Sequence, residues 1–164
     1  MTYLKRRFVI AAAALGIALS AGIGGQTLEP PIAPPADPRA HLTETVGLIS
    51  GLYLYQTYLN IGLLADGRAE RLYDDKAARS VLTSVVTPLD AVDKQLARLG
   101  AQLGTDADRE AADYLRHIVG LLRRQGQQLV AFWDSGRPND GARYEATRQE
   151  VWQHLYNLLR LDKK

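Results

Sequence analysis

Cysteine is absent from all 164 residues. Its absence excludes disulfides, covalent haem attachment through Cys-x-x-Cys-His, and lipid attachment at a lipobox cysteine. Methionine occurs only at Met1, so a Met/His pair of haem ligands is lost if the N-terminus is removed. The chain also lacks His-Glu-x-x-His, a Walker phosphate loop and Gly-x-Ser-x-Gly, the common signatures of metalloprotease, nucleotide and hydrolase chemistry. No stretch alternates apolar and polar residues between turn signals, which argues against strands. No internal repeat is visible, which argues against a solenoid. Proline is scarce after residue 40. Five of the seven, Pro30, Pro31, Pro34, Pro35 and Pro38, fall together.

The charge balance is similarly uneven. Twenty Lys and Arg face 18 Asp and Glu, for a net +2. Without Lys5, Arg6 and Arg7 the balance is 17 to 18, a net −1. A near-neutral remainder argues against nucleic acid as a partner, since phosphate binding needs a concentrated basic face. Arg123-Arg124 is read as a solvated stretch of helix.

Those three basic residues precede an uncharged run over 8–25, FVIAAAALGIALSAGIGG. A charged start followed by an apolar run is the pattern of a secretory signal, and Ala18-Leu19-Ser20 offers a small-x-small cleavage site. Residues 1–25 are thus expected to be a signal peptide, cut between Ala21 and Gln26. The alternative is an uncleaved inner-membrane anchor, although the run is slightly short of the about 20 apolar residues that span a bilayer. Residues 26–37 read as a proline-rich linker, extended for lack of other conformations. Residues 38–164 read as a bundle. The expected location is exported, periplasmic or secreted, with membrane contact only through an uncleaved leader.

Four helical segments are predicted. Asp37-Pro38 starts the first, which runs to about Ala65 or beyond. Leu42, Val46, Ile49 and Tyr53 form one stripe on it, and Leu48, Leu52, Tyr55, Leu59 and Leu63 a neighbouring one. An apolar surface this wide places the helix centrally or gives it an extra partner. Asp74 or Asp75 caps the second helix. Its stripe, Ala78, Leu82, Val85, Leu89, Val92, Leu96 and Leu99, steps by four and three. Pro88 should kink it, and Gly100 or Gly104 should end it. Thr105 caps the third, with core positions Ala111, Tyr114, Ile118 and Leu121, before Gln125, Gly126, Gln127 and Gln128 interrupt the stripe. Ser135-Gly136-Arg137-Pro138 is turn chemistry. Asn139 or Asp140 opens the last helix, whose core face is Tyr144, Val151, Leu155 and Leu158, flanked by Trp152 and Leu159. Four helices on short turns give an all-α fold, an up-down-up-down antiparallel four-helix bundle.

Two constellations carry chemistry. Asp113 and His117 are four apart on the third helix, and Glu150 and His154 four apart on the fourth, so each acid shares a face with its histidine. If the turn is centred near Gly136 and Arg137, the two histidines face each other at heights about 3–5 Å apart. Two imidazoles and two carboxylates suit a Zn or Cu ion. The bland reading is two surface acid–histidine pairs. The second constellation is Tyr53, Tyr55, Gln56, Tyr58 and Asn60 on the first helix, apolar surface with polar tips that suits a partner or ligand. Burial of those tyrosines is its bland reading, and Asn60 and Gln125 then offer a buried hydrogen bond. No nucleophile is paired with a base, and no two carboxylates face an inward cleft. The sequence thus reads as a small exported, non-enzymatic binding or protein-interaction protein. It would need no cofactor, and would meet a protein partner or a second copy through the first helix. The alternative is a periplasmic metal-binding protein using His117 and His154.

Overall fold

The computed structural model describes residues 38–161. The leader, the proline-rich stretch and the Asp37 cap lie outside the described residues. Every regular element among the described residues is helical: α1 (Pro38–Ala69), α2 (Asp75–Val86), α3 (Pro88–Gln102), α4 (Asp106–Ser135) and α5 (Pro138–Leu159). The fold is an all-α helical bundle.

Local chemistry sets most of these ends. The Asp74 carboxylate accepts the Ala77 N–H at 2.7 Å, satisfying one of the donors that a helix start leaves free. Thr105 does the same for Asp108 N–H at 3.1 Å, and its hydroxyl donates to the Asp108 carboxylate at 2.7 Å. Gly136 closes α4 with φ +61°, a left-handed conformation that glycine adopts without a Cβ penalty. Two helix ends differ from expectation. Pro138 rather than Asn139 or Asp140 opens α5, since proline at the first helical position needs no N–H partner. Meanwhile α3 runs past Gly100 and stops at Gln102, before Gly104.

Pro88 divides the second predicted helix in two. Thr87 keeps helical dihedrals (φ −57°, ψ −43°) and donates its N–H to the Thr83 carbonyl, so α2 and α3 form one arm broken at the proline. α2 packs on α1, whereas α3 packs on α4 and not on α1. A groove of about 430 Å³ opens between α1 and α3, with Val46, Val92, Leu96 and Leu99 among its walls. The stripe on this arm faces inward. Ala78, Leu82, Leu89 and Leu96 are buried, and Val85 and Val92 pack at the core edge.

The central helix is α4, not α1. It touches all four other helices and contributes ten buried residues, against two each from α2 and α3. Of its predicted core positions Ile118 and Leu121 are buried, but Ala111 is exposed and Tyr114 half-buried, and Ala112, Leu115, Val119 and Leu122 are buried as well. The stripe continues through Gln125 and Gly126 without a break. A Cβ on Gly126 would lie 2.8 Å from Val86 Cγ1, so the glycine lets α2 approach α4. Where α1 turns into α2, Asp75 accepts from both Arg68 and Arg79. Those two guanidiniums lie over Trp133, 5.0 and 5.8 Å from its ring centre.

The inward face of α1 consists of Leu54, Thr57, Ile61 and Leu64. Leu42 and Ile49, expected in a core stripe, are 63% and 61% exposed. Leu48, Leu52 and Leu63 are likewise more than half exposed.

Candidate functional site

The α4–α5 turn is two residues long, and its register governs what meets across the helices. Gly141 faces the Phe132 ring and Tyr114 reaches His154, so the two helices run antiparallel as a pair. The indices of facing residues sum to roughly the same value along the pair. By that register His117 and His154 meet, their ring centres 4.9 Å apart and their planes at 74°. Glu150, one turn before His154, joins them. One ligand atom from each of His117, Glu150 and His154 lies within 4.8 Å of the others. His117 and Glu150 are exposed and His154 is half-buried.

Asp113 is not part of this cluster. Its carboxylate accepts from Arg116 at 3.2 Å, and Arg116 also reaches Asp93 on α3 at 3.0 Å. The salt bridges take both charges away from the histidines.

Tyr114 is the residue that sequence reasoning missed. Its hydroxyl lies 3.1 Å from His154 Nδ1 and 3.3 Å from the His154 carbonyl oxygen. The carbonyl can only accept, so both contacts are satisfied when Tyr114 donates to it and Nδ1–H donates to Tyr114. That tautomer leaves the Nε2 lone pair free. Burial holds the Tyr114 phenol above its ordinary pKa, which keeps it neutral and able to donate. The antiparallel register was the available signal, since it places position 114 within reach of 154.

The tyrosines of α1 split between the core edge and α5. Tyr53, Tyr55 and Tyr58 all pack half-buried against the core. Tyr58 stacks on Trp152 at 5.8 Å and Tyr55 tilts against it at 6.4 Å. Burial raises the Tyr58 pKa, opposed by the charge of Arg148. Arg148 itself grips Glu145 with two hydrogen bonds, 2.8 and 3.0 Å. Gln56 is exposed and donates to Asn60 at 3.1 Å. Asn60 therefore does not pair with Gln125, whose two amide atoms are buried without a hydrogen-bond partner among the described residues.

What remains outward on α1 is a seam. Counting Leu42 as position a of a heptad, Leu42, Ile49, Gln56 and Leu63 occupy a and Thr45, Leu52 and Leu59 occupy d. Leu48 takes a g position beside them. Leu54 and Ile61, both at f, are fully buried on the opposite side. No charged residue occurs between Glu44 and Asp66. A helix apolar on its inner and its outer face needs a second burial surface. No helix among the described residues is long and apolar enough to cross a membrane. No family model matches the chain, and no curated protein or solved structure matches it.

Proposed function

We propose that this protein is a small, exported, non-catalytic association module, an up-down-up-down four-helix bundle that pairs with a second copy of itself through α1. The observation that carries the reading is the heptad seam on α1, of which Leu42, Leu48, Ile49, Leu52 and Leu63 are more than half exposed and Leu59 is half-buried. An a/d repeat over three heptads is the pattern by which helices supercoil together. The occupant follows from charge and area. In a two-fold pair every group on the patch meets the same patch of the second copy, and a face with no charge presents no like-charge repulsion to itself. Leu42, Leu48, Ile49, Leu52 and Leu63 offer on the order of 500 Å² per copy, and Thr45, Gln56 and Leu59 raise this to about 600–800 Å². Complete burial of that surface on both copies removes at most about 1,200–1,600 Å² in total, within the range of a standard stable interface.

Export is proposed on the charged start and apolar run of the leader. Sequencing the N-terminus of protein recovered from the exported fraction should find a start between Ala21 and Gln26. Recovery of intact chain from the cytoplasm alone would refute export.

Sedimentation equilibrium on the recovered protein tests the pairing. A dimer is expected, and Ile49→Glu together with Leu52→Glu should convert it to a monomer with its helical circular dichroism retained. Both side chains face outward, so the bundle core is untouched. A wild-type monomer at tens of micromolar would overturn self-association and leave the seam to a different protein. A dimer that survives both substitutions would place the interface elsewhere.

A further inference from the structure

The α4–α5 cluster uses no α1 residue and stands independently of the seam. Its parts are two imidazoles and one carboxylate on two facing helices, with one imidazole already held by a hydrogen-bonded partner. We propose that His117, Glu150 and His154 form a three-ligand site for a divalent first-row transition metal, with zinc as the reference ion and Tyr114 as the positioning residue for His154.

Distance comes first. In a tetrahedral zinc site with bonds of about 2.0–2.1 Å, neighbouring ligand atoms sit about 3.3 Å apart. The three ligand atoms here fall within 4.8 Å, so a contraction of at most about 1.5 Å closes the site. His117 and Glu150 are exposed, and rotation about their side-chain bonds supplies that movement without disturbing the core. The ligand types fit a borderline metal: imidazole nitrogen with a single carboxylate suits zinc or copper better than magnesium or calcium, which take all-oxygen shells. Three protein ligands leave a fourth position for water or a partner's donor group.

The second argument is orientation. Metal-bound histidines generally donate their other ring N–H to a fixed acceptor, which sets the tautomer and the ring plane. Tyr114 lies 3.1 Å from His154 Nδ1 and fills that place in the tautomer where Nδ1–H donates to it and its own proton goes to the His154 carbonyl. In that tautomer Nε2 is the nitrogen left to bind the metal. Neighbouring charge does not compete, because Arg116 is engaged by Asp93 and Asp113. Asp113 is correspondingly no ligand.

Calorimetric titration of chelator-stripped, tag-free full-length protein with Zn²⁺ is the test. One Zn²⁺ per chain is expected. His117→Ala, His154→Ala and Glu150→Gln should each raise Kd at least about tenfold, since each removes one of three ligands. Asp113→Asn and His41→Ala should leave it unchanged. Tyr114→Phe should raise Kd about tenfold, the size of effect that outer partners of metal ligands have. Nitrogen-15 spectra of the metal-free imidazoles should show the Nδ1–H form of His154 in the wild type and a mixture of tautomers in Tyr114→Phe. A merely structural tyrosine would lower the melting temperature without changing that ratio. Metal-free melting curves for every variant separate lost ligation from lost folding, and exposed Glu150 provides a ligand change with little bearing on the core. Absence of binding at 1 mM Zn²⁺, with RT ln terms then negligible, overturns the site. So does an affinity that survives the His117→Ala, His154→Ala pair, or a loss equally produced by Asp113→Asn.

Discussion

Tyr144 shows how a single buried side chain makes the fold sensitive to pH. Burial raises its pKa to about 12, and the adjacent Gln125 amide opposes the rise. The folded-state value therefore lies above that of an exposed tyrosine, about 10. Below pH 10 both folded and unfolded chains hold the proton, and its contribution is intact. Between pH 10 and 12 the unfolded chain releases a proton that the folded chain retains, so stability falls as pH rises. The loss should reach about 2–3 kcal/mol by pH 12. Tyr144→Phe should remove that part of the alkaline slope, measured by urea denaturation at pH 8 and 11. Gln125 is the complementary case. Its amide lies close enough to Tyr144 to influence its titration, yet neither amide atom has a partner with hydrogen-bond geometry among the described residues. Replacing such a group with an apolar one of similar size removes the desolvation cost. Gln125→Leu should stabilise by about 1–2 kcal/mol in the same assay, and a net loss would show that the amide is satisfied in solution. The sequence offered Gln125 both as an interruption of an apolar stripe and as a buried partner for Asn60, and its place beside Tyr144 was not visible there. Its burial follows from the turn of α4 that also exposes Ala111.

At the scale of the helix, legibility depended on contrast between faces. The α2–α3 arm has one apolar stripe and a polar remainder, so Leu82, Leu89 and Leu96 could be assigned inward from spacing alone, and they are buried. Pro88, Asp74 and Thr105 act through local backbone chemistry, which sequence reports directly. In α1 the contrast fails. Apolar residues occupy both sides, and spacing cannot say whether Leu42 or Leu54 meets the core. Only the neighbouring helices decide that, and they take Leu54 and Ile61. The candidate metal ligands were legible as i,i+4 pairs. The exclusion of Asp113 was not, because the competing salt bridge comes from Arg116 and from Asp93 on another helix. A core assignment of this kind has a direct test. Leu89 is fully buried at the second position of α3, and Leu89→Ala should cost about 2–5 kcal/mol in chemical denaturation. A loss under about 1 kcal/mol would mean that the bend at Pro88 lets the site collapse around the missing side chain.

For the whole molecule, the position of α4 has a consequence for the order in which the chain can fold. The helices that precede it pack less on one another than on α4: α1 meets α2, α2 meets α3, and α3 leaves α1 alone. The shared surface is supplied by residues 106–135. A growing chain therefore has to deliver α4 before the core can close, and up to that point its early helices are short of tertiary support, on which most helical stability depends. A chain terminated after Gln102 should show partial helicity and a broad, non-cooperative melt, and one terminated after Leu161 a sharp one. Late closure keeps the polypeptide threadable during synthesis. Folding then waits on the delivery of α4, the helix that all the others share.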